Sequence, residues 1–289
     1  MKQFSVAFVI TGLLACLGVV LYRTIFPRNT VSLDIVMLSR VTSQQFVDSQ
    51  EIAQLAVTQQ QDDSRADAIR KVAEDWVESN TGSVGLSIRT ANGDVIYEKN
   101  QNESFFAASL YKLYVAYEGY KEVDAGERSL DDVLRGSQSL GECLDLMIRN
   151  SDSPCGEVLW NDIGKQEIDQ RIAAYGIVNT DMVNITTTAS DGARMLQLIA
   201  GGVGLSAESQ QAYLDSMLEQ PDLYRRGLPS GFSSDVVVYN KVGWNLTKEW
   251  HDTAIIELED GDQLLISVLT ENVGIRGVSD LASRIEQIL

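Results

Sequence analysis

Three short segments carry residue types that can do acyl-transfer chemistry. The first is Ser109-Leu110-Tyr111-Lys112. Spacing of i to i+3 on a helix stacks the serine hydroxyl and the lysine amine one turn apart. A hydroxyl is a weak nucleophile until a neighbouring base takes its proton, and lysine is such a base only when burial or a second cation lowers its pKa. Backbone N–H groups at a helix start can also polarise a carbonyl oxygen. Taken alone, a solvated helix face explains the pair as well. The second segment is Ser151-Asp152-Ser153, which read alone is a helix-cap turn. The third is Lys241-Val242-Gly243-Trp244. A lysine at a strand end is ordinarily a solvated edge residue, but a glycine beside it admits close approach by another backbone or a ligand. His251 is the single histidine, so a Ser-His-Asp triad must use it or not exist.

The elements that must position these residues are legible from periodicity. Ala68, Ile69, Val72, Ala73, Trp76 and Val77 recur at helical spacing, with Asp63 or Ser64 placed to cap that helix. Alternating runs over 84–89 and 95–99 flank Asn92-Gly93, a strong hairpin signal. From Ser109 to about Gln220 the pattern turns helical; Tyr111, Tyr114, Val115 and Glu118 share a face, and Thr188 to Asp191 has capping-box spacing. Strands are predicted at 236–242, 253–259 and 264–270, with Asp260-Gly261 turning the last two, and an amphipathic helix at 278–289. Strands joined by tight turns need helices to cover them. The expected fold is α+β in three layers: a five-stranded antiparallel sheet flanked by the terminal helices, plus a helical lobe. The crevice between lobe and sheet is the expected site.

Charge and composition remove several functions. The chain has 289 residues and a formal charge of −18. Residues 1–28 hold three basic and no acidic side chains, so 29–289 carry 20 − 41 = −21. A body that acidic repels phosphate backbones, which excludes nucleic acid as a partner. One histidine and three cysteines, Cys16, Cys143 and Cys155, cannot assemble a His/Cys zinc site, and no cofactor is implied.

In their order along the chain, the three segments resemble the S-x-x-K, S-D-N and K-T-G signature of class A β-lactamases and penicillin-binding proteins. The likeness extends over about residues 63–289. Gly93 to Lys112 resembles the opening hairpin and nucleophile helix, Thr186 to Asp191 the threonine-rich helix start, Arg226 to Gly231 the segment before the third motif, and Asp252 to Ile256 the strand after it. The resemblance implies a β-lactamase/transpeptidase-like fold and a β-lactam or peptidoglycan-type amide as substrate. It makes Ser109 the acylated nucleophile and Lys112 its base. Ser151 relays a proton to the leaving nitrogen while Lys241 holds that hydroxyl and lowers the Lys112 pKa. The backbone N–H groups of Ser109 and Trp244 form the oxyanion hole, and Ser153 and Gly243 touch substrate.

Three departures bear on this. Val242 stands where the family has Thr or Ser, leaving a substrate carboxylate one charge-assisted hydrogen bond short, worth about 1.5–3 kcal/mol. Ser153 replaces Asn. No E-x-x-L-N segment supplies a glutamate for the deacylating water; Glu157, Glu167 and Asp181 are the nearest acids, with Asp181 the preferred stand-in. The expectation is therefore a serine hydrolase that acylates readily and deacylates slowly. The alternatives are a binding or sensing domain on the same fold, and a Ser-His hydrolase using His251.

Residues 4–22 are an uncharged run of nineteen, about 28 Å as a helix and close to the thickness of a bilayer core. The expected organisation is a single-pass anchor at 1–28, a Gln-rich stalk at 29–62 and the hydrolase domain at 63–289, outside the cytoplasmic membrane as the family works. Cys143 and Cys155 lie twelve apart around the Ser-Asp-Ser turn; they form one short disulfide in an oxidising compartment or stand as two buried thiols.

Overall fold

The computed structural model describes residue 60 and residues 62–245 and 248–289. The expected span at 4–22 and the stalk, apart from Gln60 and Asp62, lie outside the described residues. Among the described residues no helix is long and apolar enough to cross a membrane.

Helix α1, residues 62–79, buries Ile69, Ala73 and Trp76 at spacings of four and three. It is already helical at residue 62, so Asp63 and Ser64 lie within it and do not cap it. Strands β1 (Ser83–Thr90) and β2 (Val95–Lys99) form the expected hairpin, closed through Gly93 at φ +95. Strands β3 (Val237–Trp244), β4 (Trp250–Glu257) and β5 (Gln263–Glu271) complete one antiparallel sheet in the order β2-β1-β5-β4-β3. The third and fourth strands are displaced from expectation toward the turn between them. Cross-strand pairing carries them to Trp244 opposite Trp250, past the end of the apolar alternation.

Alternation sends side chains to two cores. Leu86, Ile88, Ile256, Ile266 and Val268 face α1 and the C-terminal helix α8 (Ile275–Glu286). The Trp76 Nε1–H donates to the Gly277 carbonyl at 2.9 Å and ties the two terminal helices together. Ile255, Leu265 and Leu269 face the helical lobe on the other side. That lobe holds α2 (Tyr111–Asp124), α3 (Leu140–Arg149), α4 (Ser153–Ile163), α5 (Lys165–Ala173), α6 (Ala189–Ala200) and α7 (Ala207–Leu218). Two short two-stranded ladders interrupt it, Val133–Arg135 with Gln138–Ser139 and Phe105–Phe106 with Thr186–Thr187. The sheet, its covering helices and the lobe are the expected α+β architecture.

Helix α2 departs from the one-faced helix expected. Every residue from Tyr111 to Tyr120 is buried, Lys112 and Glu118 included, because α2 runs through the middle of the lobe. The Thr188 hydroxyl caps α6 by accepting from the Asp191 N–H at 3.2 Å. The reciprocal half of the capping box is absent: the Asp191 carboxylate accepts instead from Asn179 N and Thr180 Oγ1, both at 2.8 Å.

Candidate active site

Ser109 enters on a 3-10 turn, Ala108–Leu110, that runs straight into α2. Ala108 has φ +46, a left-handed conformation that costs a non-glycine residue roughly 1–2 kcal/mol. The turn is held from three sides. Ala107 N donates to Ile185 O at 2.7 Å, Leu110 N to Ala107 O at 3.0 Å, and the His251 ring pairs through Nε2 with Phe106 O at 2.9 Å. His251 Nδ1 accepts from the Thr270 N–H at 3.0 Å, which makes Nε2 the protonated nitrogen. Burial lowers its pKa to about 4, so the ring is neutral and both nitrogens are engaged with backbone. This removes the Ser-His reading: His251 anchors the segment that delivers Ser109.

The edge strand β3 packs directly under that turn. A Cβ at Gly243 would stand 2.6 Å from Ala107 O and 3.1 Å from Leu110 N, so only glycine fits. The close approach expected of Gly243 is thus by backbone. Gly156 on α4 plays the same part beside Lys112, where a Cβ would meet the Lys112 Cε at 3.1 Å.

Four of the predicted side chains converge. Lys112 Nζ lies 3.0 Å from Ser109 Oγ, and it also donates to Ser151 O at 2.7 Å and Ser153 Oγ at 3.2 Å. Lys241 Nζ donates to Ser151 Oγ at 2.9 Å and to Val242 O at 3.0 Å. Lys241 therefore lies within β3, fully buried, where a solvated strand end was expected. Ser151 occupies a left-handed position, φ +54, between α3 and α4. The cap-turn reading and the functional one hold together here: Asp152 Oδ1 caps α4 through Cys155 N at 2.8 Å, while Ser151 faces the lysines. The disulfide Cys143–Cys155 closes around this turn and excludes the free-thiol alternative.

Both lysines are 0% exposed, and no carboxylate is bonded to either among the described residues. Burial lowers the Lys112 pKa to about 8, against the partial pull of Asp152 and Glu157. Burial, and then the neighbouring Lys112 charge, push Lys241 well below the usual lysine range, with Asp252 opposing. Asp181 is not part of this cluster. Its carboxylate accepts from the Asn184 backbone N–H at 2.9 Å and side-chain amide at 2.6 Å, because its own turn is closed by paired hydrogen bonds with Thr186.

A cleft of about 170 Å³ opens onto Ser109 and Ser151, walled by Tyr224, Val242 and Trp244. Tyr224 stacks on Trp244 at 5.3 Å between ring centroids, and Trp244 leans on Trp250 at 5.2 Å. Sequence reasoning missed Tyr224, which sits in a segment whose only signal was resemblance. Among the described residues no group of three His, Cys, Asp or Glu side chains is placed to hold a metal.

Fold and cluster together define a serine hydrolase of the β-lactamase/transpeptidase type. The model of the Beta-lactamase enzyme family matches residues 64–288, and the chain belongs to that family. Solved structures agree on the fold. A beta lactamase from Xanthomonas campestris pv. campestris is 20% identical with a TM-score of 0.70, over 78% of this chain and 98% of its own. A beta-lactamase from Chitinophaga pinensis is 23% identical with a TM-score of 0.66, over 76% of this chain and 97% of its own. A PBP-A mutant, described as an acyl-enzyme complex with penicillin G, is 18% identical with a TM-score of 0.65, over 76% of this chain and 95% of its own. Among curated proteins none matches.

Proposed function

We propose that this protein forms an acyl-enzyme at Ser109 with a β-lactam or a related peptidoglycan-type amide, and that it deacylates slowly. The carrying observation is the 3.0 Å approach of Lys112 Nζ to Ser109 Oγ inside a buried pair of lysines. A neutral Lys112 amine takes the hydroxyl proton as Oγ attacks the carbonyl. The backbone N–H groups of Ser109 and Trp244 stabilise the developing oxyanion. Ser151, held by Lys241 at 2.9 Å, passes a proton to the leaving nitrogen. The acyl-enzyme of the PBP-A mutant with penicillin G supports this reading by likeness of fold. Slow deacylation follows from the absence, among the described residues, of any carboxylate hydrogen-bonded to Ser109 or Lys112. Residues 4–22 serve as a single-pass anchor, with the domain from Asp63 onward outside the membrane.

Val242 in the cleft wall favours one second reading, a binding or sensing domain on the same fold. Intact-mass spectrometry of the full chain after exposure to a penicillin, followed over time beside Ser109→Ala, separates the two. A lasting adduct absent from the variant is the expected result. A transient adduct with accumulating opened antibiotic means efficient turnover and a base elsewhere. No adduct at any concentration favours the binding domain.

A further inference from the structure

The residues that wall the cleft are Ser109, Ser151, Tyr224, Val242 and Trp244, so it offers hydroxyls, backbone and aromatic surface but no accessible cation among the described residues. The two cations beneath it are fully buried and engaged. Lys112 donates to Ser151 O and Ser153 Oγ, and Lys241 to Ser151 Oγ and Val242 O. Arg225, next in sequence to Tyr224, turns its Nη1 away from the cleft, to the carbonyls of Leu218 at 2.9 Å and Val238 at 3.1 Å. The chain as a whole carries −18, so an anion approaching Ser109 meets a repelling field and finds no counter-charge on arrival. Desolvating a carboxylate under those conditions is strongly unfavourable, whereas a neutral group loses little. The cleft's 170 Å³ matches a group of benzene size, for which a cavity of about 150 Å³ suffices. Tyr224 and Trp244 supply a face for it to stack on.

We infer that the site selects uncharged acyl donors: amides or esters with no carboxylate beside the reacting carbonyl. The inference rests on the acyl-transfer reading above and specifies its substrate class. In the step itself the Ser109 Oγ–acyl bond forms and the bond from carbonyl carbon to leaving nitrogen or oxygen breaks. The serine proton passes to Lys112, and the leaving atom is protonated through Ser151.

The test compares benzylpenicillin with its methyl ester, and p-nitrophenyl acetate with the mono-p-nitrophenyl ester of succinic acid. Acylation of the full chain is followed by intact mass in wild type, Ser109→Ala and Tyr224→Arg. The neutral member of each pair is expected to label Ser109 about tenfold faster or more, and high salt, which screens the distant charges, leaves a preference in place. Tyr224→Arg, which puts a guanidinium on the cleft wall, narrows or reverses the ratio. A Ser109-dependent adduct that forms as fast with the charged members overturns the inference and leaves the acyl-transfer reading standing. Equal ratios in wild type and a folded Tyr224→Arg overturn the assignment of selectivity to this wall. No Ser109-dependent adduct from any of the four probes overturns both readings. The wild-type ratio alone decides the charge preference if Tyr224→Arg does not fold.

Discussion

The two ends of α2 bury charge in opposite ways. In its first turn Lys112 is sealed from solvent with hydroxyls and a carbonyl around it and no bonded carboxylate. Two turns on, Glu118 and Glu122 are buried with cations supplied from other elements. Lys121 Nζ reaches Glu118 at 3.0 Å, and Arg171 Nη1 reaches Glu122 at 2.7 Å. Arg128 bridges Glu122 and Asp162. Burial still pushes the Glu118 carboxyl up, but Lys121 and then Arg171 pull against it. On one helix, then, a buried charge with partners fastens α2 to α5, while a buried amine without them is pushed toward neutrality and becomes a base.

Replacing Lys112 breaks the comparison most sharply. Lys112→Met is expected to slow acylation by about 10²–10⁴-fold, the usual worth of a positioned base, without lowering the melting temperature, because it also removes an uncompensated buried cation. Glu122→Ala should do the reverse. It strands Arg128 and Arg171 and costs about 3 kcal/mol in chemical denaturation, while the acylation rate of the folded protein stays as it was. The gentlest test is pH. The active form of Lys112 is the neutral amine, and its pKa is lowered to about 8. The rate should therefore rise with pH to a plateau above that value, and fall about tenfold per unit below about pH 7. A flat profile would mean that another group takes the serine proton.

Much of this was legible in the sequence, and the residues show why. Ser109 and Lys112 share a helix, so their approach follows from local spacing alone. Ser151 and Lys241 join them from 39 to 132 positions away in number, and only the ordered resemblance to a known signature brought them together before the fold was seen. The burial of Lys241 was not legible. An edge strand is ordinarily wet, but here the Ser109 turn lies across β3 at Gly243 and seals it. The salt-bridge cluster on α2 had a faint signal: Glu118 and Glu122, like charges at i and i+4, oppose helix formation unless cations come from outside. Tyr224 had none, because stacking on Trp244 depends on how the segment before β3 folds back over the strand.

The bridge between Cys143 and Cys155 has a mechanical meaning. A force pulling the domain from its two ends travels through the sulfur–sulfur bond and bypasses the backbone between those residues. The stretch that presents Ser151 therefore carries no tension until the bridge itself parts. A peptide bond cut anywhere within it would leave both halves attached, like a chain with one doubled link.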